Sequence, residues 1–306
     1  MKTMKLNGTD LSISKLGLGI MRLPKLPQQE ADDFLLDAIH SGINFFDSAD
    51  IYGGGKSEEI FGNFLHNHPE VRKDIVIQSK ASIVPGKAYD CSKEYIISAV
   101  KGILERLQTE YLDVFLLHRP DALMDYEEVA QAFDYLYENG LVKYFGVSNQ
   151  TVGQMALLKK YCKQPIIINQ LQLSIVHSNM IDRGIFQNMK ADEAIDRDGD
   201  VLSYCMLNDI LIQAWSPIQA SWEDGTFINN PKYAKLNEVL EELSKKYKTN
   251  KSAIALAWIL RHPAHIQPII GTTSKQHLHE SLEALQVQLT REEWYALYMS
   301  AGKMLP

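Results

Sequence analysis

The chain has 306 residues, 45% hydrophobic and 23% charged, the make-up of an ordinary globular protein long enough to bury a large core. Lys and Arg number 31 against 38 Asp and Glu, and the resulting charge of −7 argues against duplex nucleic acid, which needs a cationic surface. No apolar stretch approaches the ~20 residues of a bilayer span, and Met1 to Leu6 has no signal core behind its lysines. With Cys91, Cys162 and Cys205 odd in number and far apart, the expectation is a cytoplasmic protein with reduced thiols and no membrane partner.

The chain opens as a β-hairpin, Met4-Lys5-Leu6 and Leu11 to Ser14 flanking Asn7-Gly8, a pair that supplies the positive φ angles of a tight turn. Leu16-Gly17-Leu18-Gly19 reads as a short strand, and Glu30 to His40 as a helix stopped by Gly42. A pattern then repeats: a short apolar run, a loop, an amphipathic stretch of helical period. Phe45-Phe46-Asp47 precedes a helix from about Ser57, and Ile75 to Gln78 precedes Ser92 to Leu107. Val114 to Leu117 precedes a helix opened by Asp125-x-x-Glu128, and Tyr144 to Val147 one opened by the capping box Thr151-x-x-Gln154. After Ile166 to Ile168 the regularity breaks, and Ser178 to Asp200 reads as an extended loop insertion. Strands at Ile210 to Trp215 and Pro268 to Ile270 follow, with helices over Pro231 to Tyr247, Ser252 to Arg261, Ser274 to Leu285 and Glu292 to Met299.

Eight strands thus alternate with helices. Their runs are nearly all apolar, as strands buried on both faces require, so the predicted fold is α/β, a (β/α)8 TIM barrel. A doubly wound open sheet is the rival, but no composition break or nucleotide fingerprint supports it. One domain over 1–306 is expected, with the hairpin at 1–15 and a C-terminal helix and tail at 286–306.

In such barrels reactive groups stand at the C-terminal ends of strands. Asp47, Lys80, His118, Ser148, Asn149, Gln170 and Trp215 all fall there, with Tyr52 just beyond Asp47. Alone, an aspartate at a strand end is a turn residue and a histidine a structural one; their joint placement is the signal. A tyrosine is a poor acid near neutrality; an adjacent ammonium lowers its pKa, a carboxylate holds that ammonium, and a histidine can orient a carbonyl oxygen. The set makes a positioned general acid and contains no electron source, so the reducing equivalent must come from a cofactor.

Asp47-Ser48-Ala49-Asp50-Ile51-Tyr52, with Gly53 and Ser57-Glu58 behind it, resembles the signature of the aldo-keto reductases. So do Lys80, His118, Gly146-Val147-Ser148-Asn149, Asn169-Gln170, Trp215-Ser216-Pro217 and Ile269-Ile270-Gly271-Thr272, in order and one strand apart. The resemblance implies a barrel whose N-terminal hairpin covers the bottom, and reduction of a small-molecule aldehyde or ketone by a nicotinamide cofactor, NADPH preferred and NAD possible. It implies Tyr52 as proton donor, Asp47 and Lys80 as its tuning pair and His118 as the orienting group. Ser148, Asn149 and Gln170 would hold the carboxamide, Trp215 would stack on the nicotinamide, and Gly19, Ile20, Met21 and Asp47 would border it. Ser216, Pro217, Gly271, Thr272, Thr273, Ser274, Lys275, His277 and Glu280 would take the phosphates and adenosine.

This chain departs from the family in having His277 and Gly271 where an arginine and a lysine usually meet the ribose phosphate, with Lys275 as a possible substitute, and Met21 in place of a tryptophan. Arg119-Pro120 resembles a bacterial-type branch. Gly55-Lys56-Ser57 mimics a P-loop end without its first glycine, and the histidine pairs lack further ligands at zinc spacing, so no metal is expected. Two alternatives stand beside the reductase: a nicotinamide-binding regulatory subunit with little turnover, and an unrelated phosphate-binding barrel using Lys80 as a Schiff base. Neither substrate nor oligomeric state is written in these motifs.

Overall fold

A computed structural model describes residues 2–221 and 223–305. Met1 in the predicted hairpin, Trp222 after the predicted strand Ile210 to Trp215, and Pro306 in the C-terminal tail lie outside the described residues. Eight strands close into a barrel: β1 (Gly17–Gly19), β2 (Phe45–Asp47), β3 (Val76–Ala81), β4 (Leu112–Leu117), β5 (Val142–Ser148), β6 (Ile166–Gln172), β7 (Leu211–Trp215) and β8 (Gln267–Ile270). Neighbours pair in parallel and in chain order, and β8 closes the ring by setting Ile269 opposite Gly17 and Ile270 opposite Leu18. Helices lie between the strands.

Successive strand side chains point to opposite faces, and both faces here are apolar for different reasons. Phe46, Ile77, Phe115, Leu117, Phe145, Val147 and Ile212 pack outward against the helices. Phe45, Val76, Val114, Leu116, Ile168, Leu211 and Ile269 form a separate inner layer, joined by Leu6 and Ile13 of the N-terminal hairpin (Thr3–Lys5 with Ser12–Ser14), which closes the bottom. Each fully buried Phe or Leu in these layers contributes roughly 1.5–3 kcal/mol of transfer free energy. Inner packing is tight enough to require glycine at 146, where a Cβ would stand 2.7 Å from the Ile168 carbonyl oxygen.

Several local expectations change. The hairpin turn is wider than a two-residue turn: Thr9 N–H donates to the Leu6 carbonyl at 3.2 Å, and of the Asn-Gly pair only Gly8 takes positive φ. Asp125 caps its helix through the Glu127 and Glu128 amides, whereas the Thr151–Gln154 box is reciprocal. The 178–200 segment is not all loop. It carries a helix, Asn179–Ile185, and a 3-10 turn, Asp192–Ala194. Buried Asp182 organises the helix, accepting from the Ser178 hydroxyl at 2.8 Å and pairing with Lys303 of the C-terminal tail. Short strand pairs, Ile83–Val84 with Ala88–Tyr89 and Gln219–Ser221 with Gly225–Thr226, stand in loops at the C-terminal end of the barrel.

Candidate active site

The inner columns of the barrel change character as they rise. In β3 the inward positions run Val76, Gln78, Lys80; in β7, Leu211, Gln213, Trp215; in β4, Val114, Leu116 and then His118. Apolar side chains fill the bottom, glutamines the middle and reactive groups the top.

Asp47 is the hub. Its Oδ1 accepts from Lys80 Nζ at 2.6 Å, Gln78 Nε2 at 2.6 Å and Gln170 Nε2 at 3.0 Å. Lys80 also donates to the Ser48 carbonyl at 2.6 Å and is 0% exposed. A buried ammonium is tolerable only with such partners. Burial pulls its pKa down, Asp47 and Tyr52 push it up, and the net direction is up, so the lysine stays charged. Below the hub, Gln78 and Gln170 both donate to Gln213 Oε1, at 2.8 and 3.0 Å. Gln213 donates to Gln267 at 2.9 Å, and Gln267 to the Ser14 carbonyl at 2.7 Å. This amide ladder ties the hub to the N-terminal hairpin, and the sequence reading missed three of its members, Gln78, Gln213 and Gln267.

Tyr52 begins a 3-10 turn through Gly55, and Gly53, Gly54 and Gly55 all take positive φ, a run few other residues could follow. The turn sets the phenol ring 5.3 Å from Lys80 Nζ and edge-on to His118, centroids 6.0 Å apart. Burial pushes the Tyr52 pKa up; Lys80 and Arg119 pull against it, Asp47 adds to it, and the net direction is upward. The expected depression is therefore overridden by desolvation. His118, the residue after β4, is drawn down to about 2 by burial first and then by Lys80 and Arg119, so its imidazole is neutral at physiological pH.

Above these groups a cavity of about 910 Å³ opens. It is lined by Gly19, Met21, Asp47, Tyr52, His118, Ser148, Asn149, Gln170, Trp215, Ser216, Pro217, Gly271, Thr272, His277 and Glu280. Lys80 lies behind this wall. Ile20 is buried at 2% exposure in the helix-facing layer, its amide donating to the Asp47 carbonyl at 2.9 Å. Thr273, Ser274 and Lys275 stand outside the lining; the Ser274 hydroxyl caps the helix Lys275–Leu282, and Lys275 is exposed. Arg22 and Arg119, which the sequence reading left out of the site, do line the cavity. Arg22 Nη1 donates to the Gly271 carbonyl at 2.6 Å and occupies the space a Cβ at 271 would need.

The donor set fits a nicotinamide nucleotide. Half-buried Trp215 presents its indole at the rim and donates Nε1 to Asn149 Oδ1 at 3.3 Å. Ser148, Asn149 and Gln170 offer amide and hydroxyl groups beside it. Asn149 and Ser216 are held at φ 55° and 54°, strained conformations of the kind that fix ligand-binding backbone. At Gly19 a Cβ would stand 3.3 Å from Ile269 and 3.4 Å from the Ile270 carbonyl oxygen, a tight fit at the cavity wall.

Behind the site, Asp50 is pushed up to about 7 by burial first and by the neighbouring Glu58 second, with Arg106 opposing. Glu58 itself is bound to Arg106 at 2.8 Å and to the Ser79 hydroxyl at 2.6 Å. The folded state thus binds the Asp50 proton more tightly than the unfolded chain. Stability is unaffected below about pH 4, falls as pH rises from there to 7, and carries the full penalty above 7. Asp50→Asn should raise the melting temperature by several degrees near pH 8 and change it little near pH 4. Equal effects at both pH values in thermal denaturation would contradict this account.

The model of the Aldo/keto reductase family matches residues 15–298. The uncharacterized oxidoreductase YcsN of Bacillus subtilis (strain 168) is 32% identical over 303 residues, covering 94% of each chain. The 6-dehydroglucose reductase of Novosphingobium aromaticivorans is 30% identical, covering 99% of this chain and 96% of its own. Among solved structures, the thermostable aldo-keto reductase Tm1743, crystallised with the inhibitor epalrestat, superposes with a TM-score of 0.78 at 26% identity, covering 98% of this chain and 100% of the other. Barrel and relatives agree: the chain belongs to the aldo/keto reductase family and is an NAD(P)H-dependent oxidoreductase that reduces small-molecule carbonyl compounds.

Proposed function

We propose that Tyr52 is the general acid of this reduction, with NADPH as the preferred cofactor. The observation that carries the reading is the buried Lys80–Asp47 pair, 2.6 Å apart, directly beside the phenol ring, with neutral His118 across from it. When bound, the nicotinamide supplies hydride to the carbonyl carbon. Tyr52, kept protonated by burial, holds its proton toward the carbonyl oxygen. Transfer runs downhill because an alkoxide is far more basic than a phenolate. Lys80 stays charged and stabilises the phenolate left behind, and Asp47 fixes the ammonium in place. His118, uncharged, can hydrogen-bond the carbonyl oxygen without competing for the proton. Trp215, Ser148, Asn149 and Gln170 would hold the nicotinamide end.

At the far end of the cavity the Arg22 guanidinium lies against the backbone of Gly271, where the family usually has a lysine. That cation, with His277 nearby, supports a phosphate-bearing ribose. Fluorescence titration should therefore find NADPH bound at least about tenfold more tightly than NADH, with Arg22→Ala narrowing the gap. Equal affinities in the wild type would contradict the NADPH preference.

A further inference from the structure

Arg119 stands at the cavity wall next to His118 and, beyond its charge acting on Tyr52 and His118, has no part in the chemistry above. It is half-buried and lines the same cavity as Tyr52, His118 and Trp215. Its guanidinium carbon lies 5.9 Å from the centre of the Trp215 ring. Among the described residues no carboxylate lies within ion-pair distance of it. The nearest acid in sequence, Asp121, is engaged elsewhere, accepting from the Cys91 amide at 2.9 Å and the Leu123 amide at 2.8 Å.

The backbone that presents this arginine is clamped. The Ser82 hydroxyl accepts from Arg119 N–H at 2.9 Å and donates to its carbonyl at 3.2 Å. Ser82 is held at φ 142°, a conformation that serine rarely adopts. The same cavity is lined in part by the apolar side chains of Ile51, Ile83 and Ile218. An unpaired, partly desolvated cation is costly unless an anion completes it. The planar fork of arginine suits a carboxylate, which it can grip with two parallel hydrogen bonds. It lines the same cavity as Tyr52 and His118, and its charge lowers the proton affinity of both.

We propose that Arg119 receives a carboxylate of the substrate, and that the physiological substrate class is oxo-acids, aldehydes or ketones whose carboxylate is separated from the carbonyl by a short apolar body. The inference rests on the carbonyl-reductase reading of the same cavity. It makes Arg119 a specificity-determining residue, with Ile51, Ile83 and Ile218 accommodating the apolar body between the two polar ends.

The test compares 4-carboxybenzaldehyde with its neutral methyl ester, using NADPH, in the wild type and in Arg119→Met and Arg119→Lys. The readout is the ratio of the two kcat/KM values, because intrinsic aldehyde reactivity cancels between enzymes. Losing a charged hydrogen-bond partner should lower that ratio roughly ten- to hundredfold in Arg119→Met, with Arg119→Lys intermediate. NADPH affinity, measured by titration, should be the same in all three. A ratio unchanged by Arg119→Met overturns the inference and leaves the reductase standing. A fall in NADPH affinity with no change in the ratio also overturns it, assigning the cation to a cofactor phosphate. Wild-type enzyme that turns over neither aldehyde removes the reductase reading and this inference with it.

Discussion

Lys80→Met should cost turnover at least about a thousandfold and global stability about 3–5 kcal/mol. Both losses have one cause. The lysine is fully buried and bonded to Asp47 and to the Ser48 carbonyl. Removing it strands a carboxylate that is 3% exposed, with the Gln78 and Gln170 amides as its remaining hydrogen-bond donors. It also removes the ammonium that opposes the burial-driven rise of the Tyr52 pKa. The two effects separate in the double variant Lys80→Met/Asp47→Asn. Neutralising the stranded acid should recover much of the stability in chemical denaturation, whereas NADPH-dependent turnover should stay low. Turnover that returns with stability would make Lys80 a structural residue only.

The second large effect is expected at Tyr52. Phenylalanine preserves the ring that packs edge-on to His118 and removes only the hydroxyl. The barrel hub, the amide ladder and the cofactor cavity are untouched, so melting temperature and NADPH affinity should hold near wild-type values. Reductive turnover should fall about 10²–10⁴-fold, the range expected when a positioned acid is lost. The pH profile adds a sign. Because burial moves the phenol above its ordinary value of 10, wild-type reduction should not decline on the alkaline side until beyond that value.

Much of the fold was legible because barrel strands announce themselves twice, by short apolar runs and by helical stretches between them. The site was legible for a related reason. Asp47 is two residues from Phe45, Lys80 four from Val76, His118 four from Val114 and Trp215 four from Leu211, so each shares the inward parity of a core residue in its own strand. The glutamines obey the same parity, but sequence alone does not say that β3, β6, β7 and β8 bring their amides to one axis. Arg22 and Arg119 were harder still. Each follows a site residue in a loop, where periodicity carries no information, and only closure of the ring shows that they face the cavity. The helix Asn179–Ile185 escaped because it is short and holds its acid against Lys303, more than a hundred residues away. The expected fall in the Tyr52 pKa failed on magnitude: the reading weighed the charge of Lys80 without the desolvation of the phenol it sits beside.

The central claim is that the Tyr52 phenol supplies the proton. It is tested most directly by a single turnover in stopped flow. Wild type and Tyr52→Phe, each in excess over NADPH so that all of the cofactor is enzyme-bound, are mixed with excess 4-nitrobenzaldehyde, and loss of the reduced nicotinamide signal is followed. This isolates the chemical step from cofactor binding and product release. The account predicts a rate constant lower by about 10²–10⁴-fold in Tyr52→Phe. A Tyr52→Phe rate constant equal to the wild-type value would contradict it.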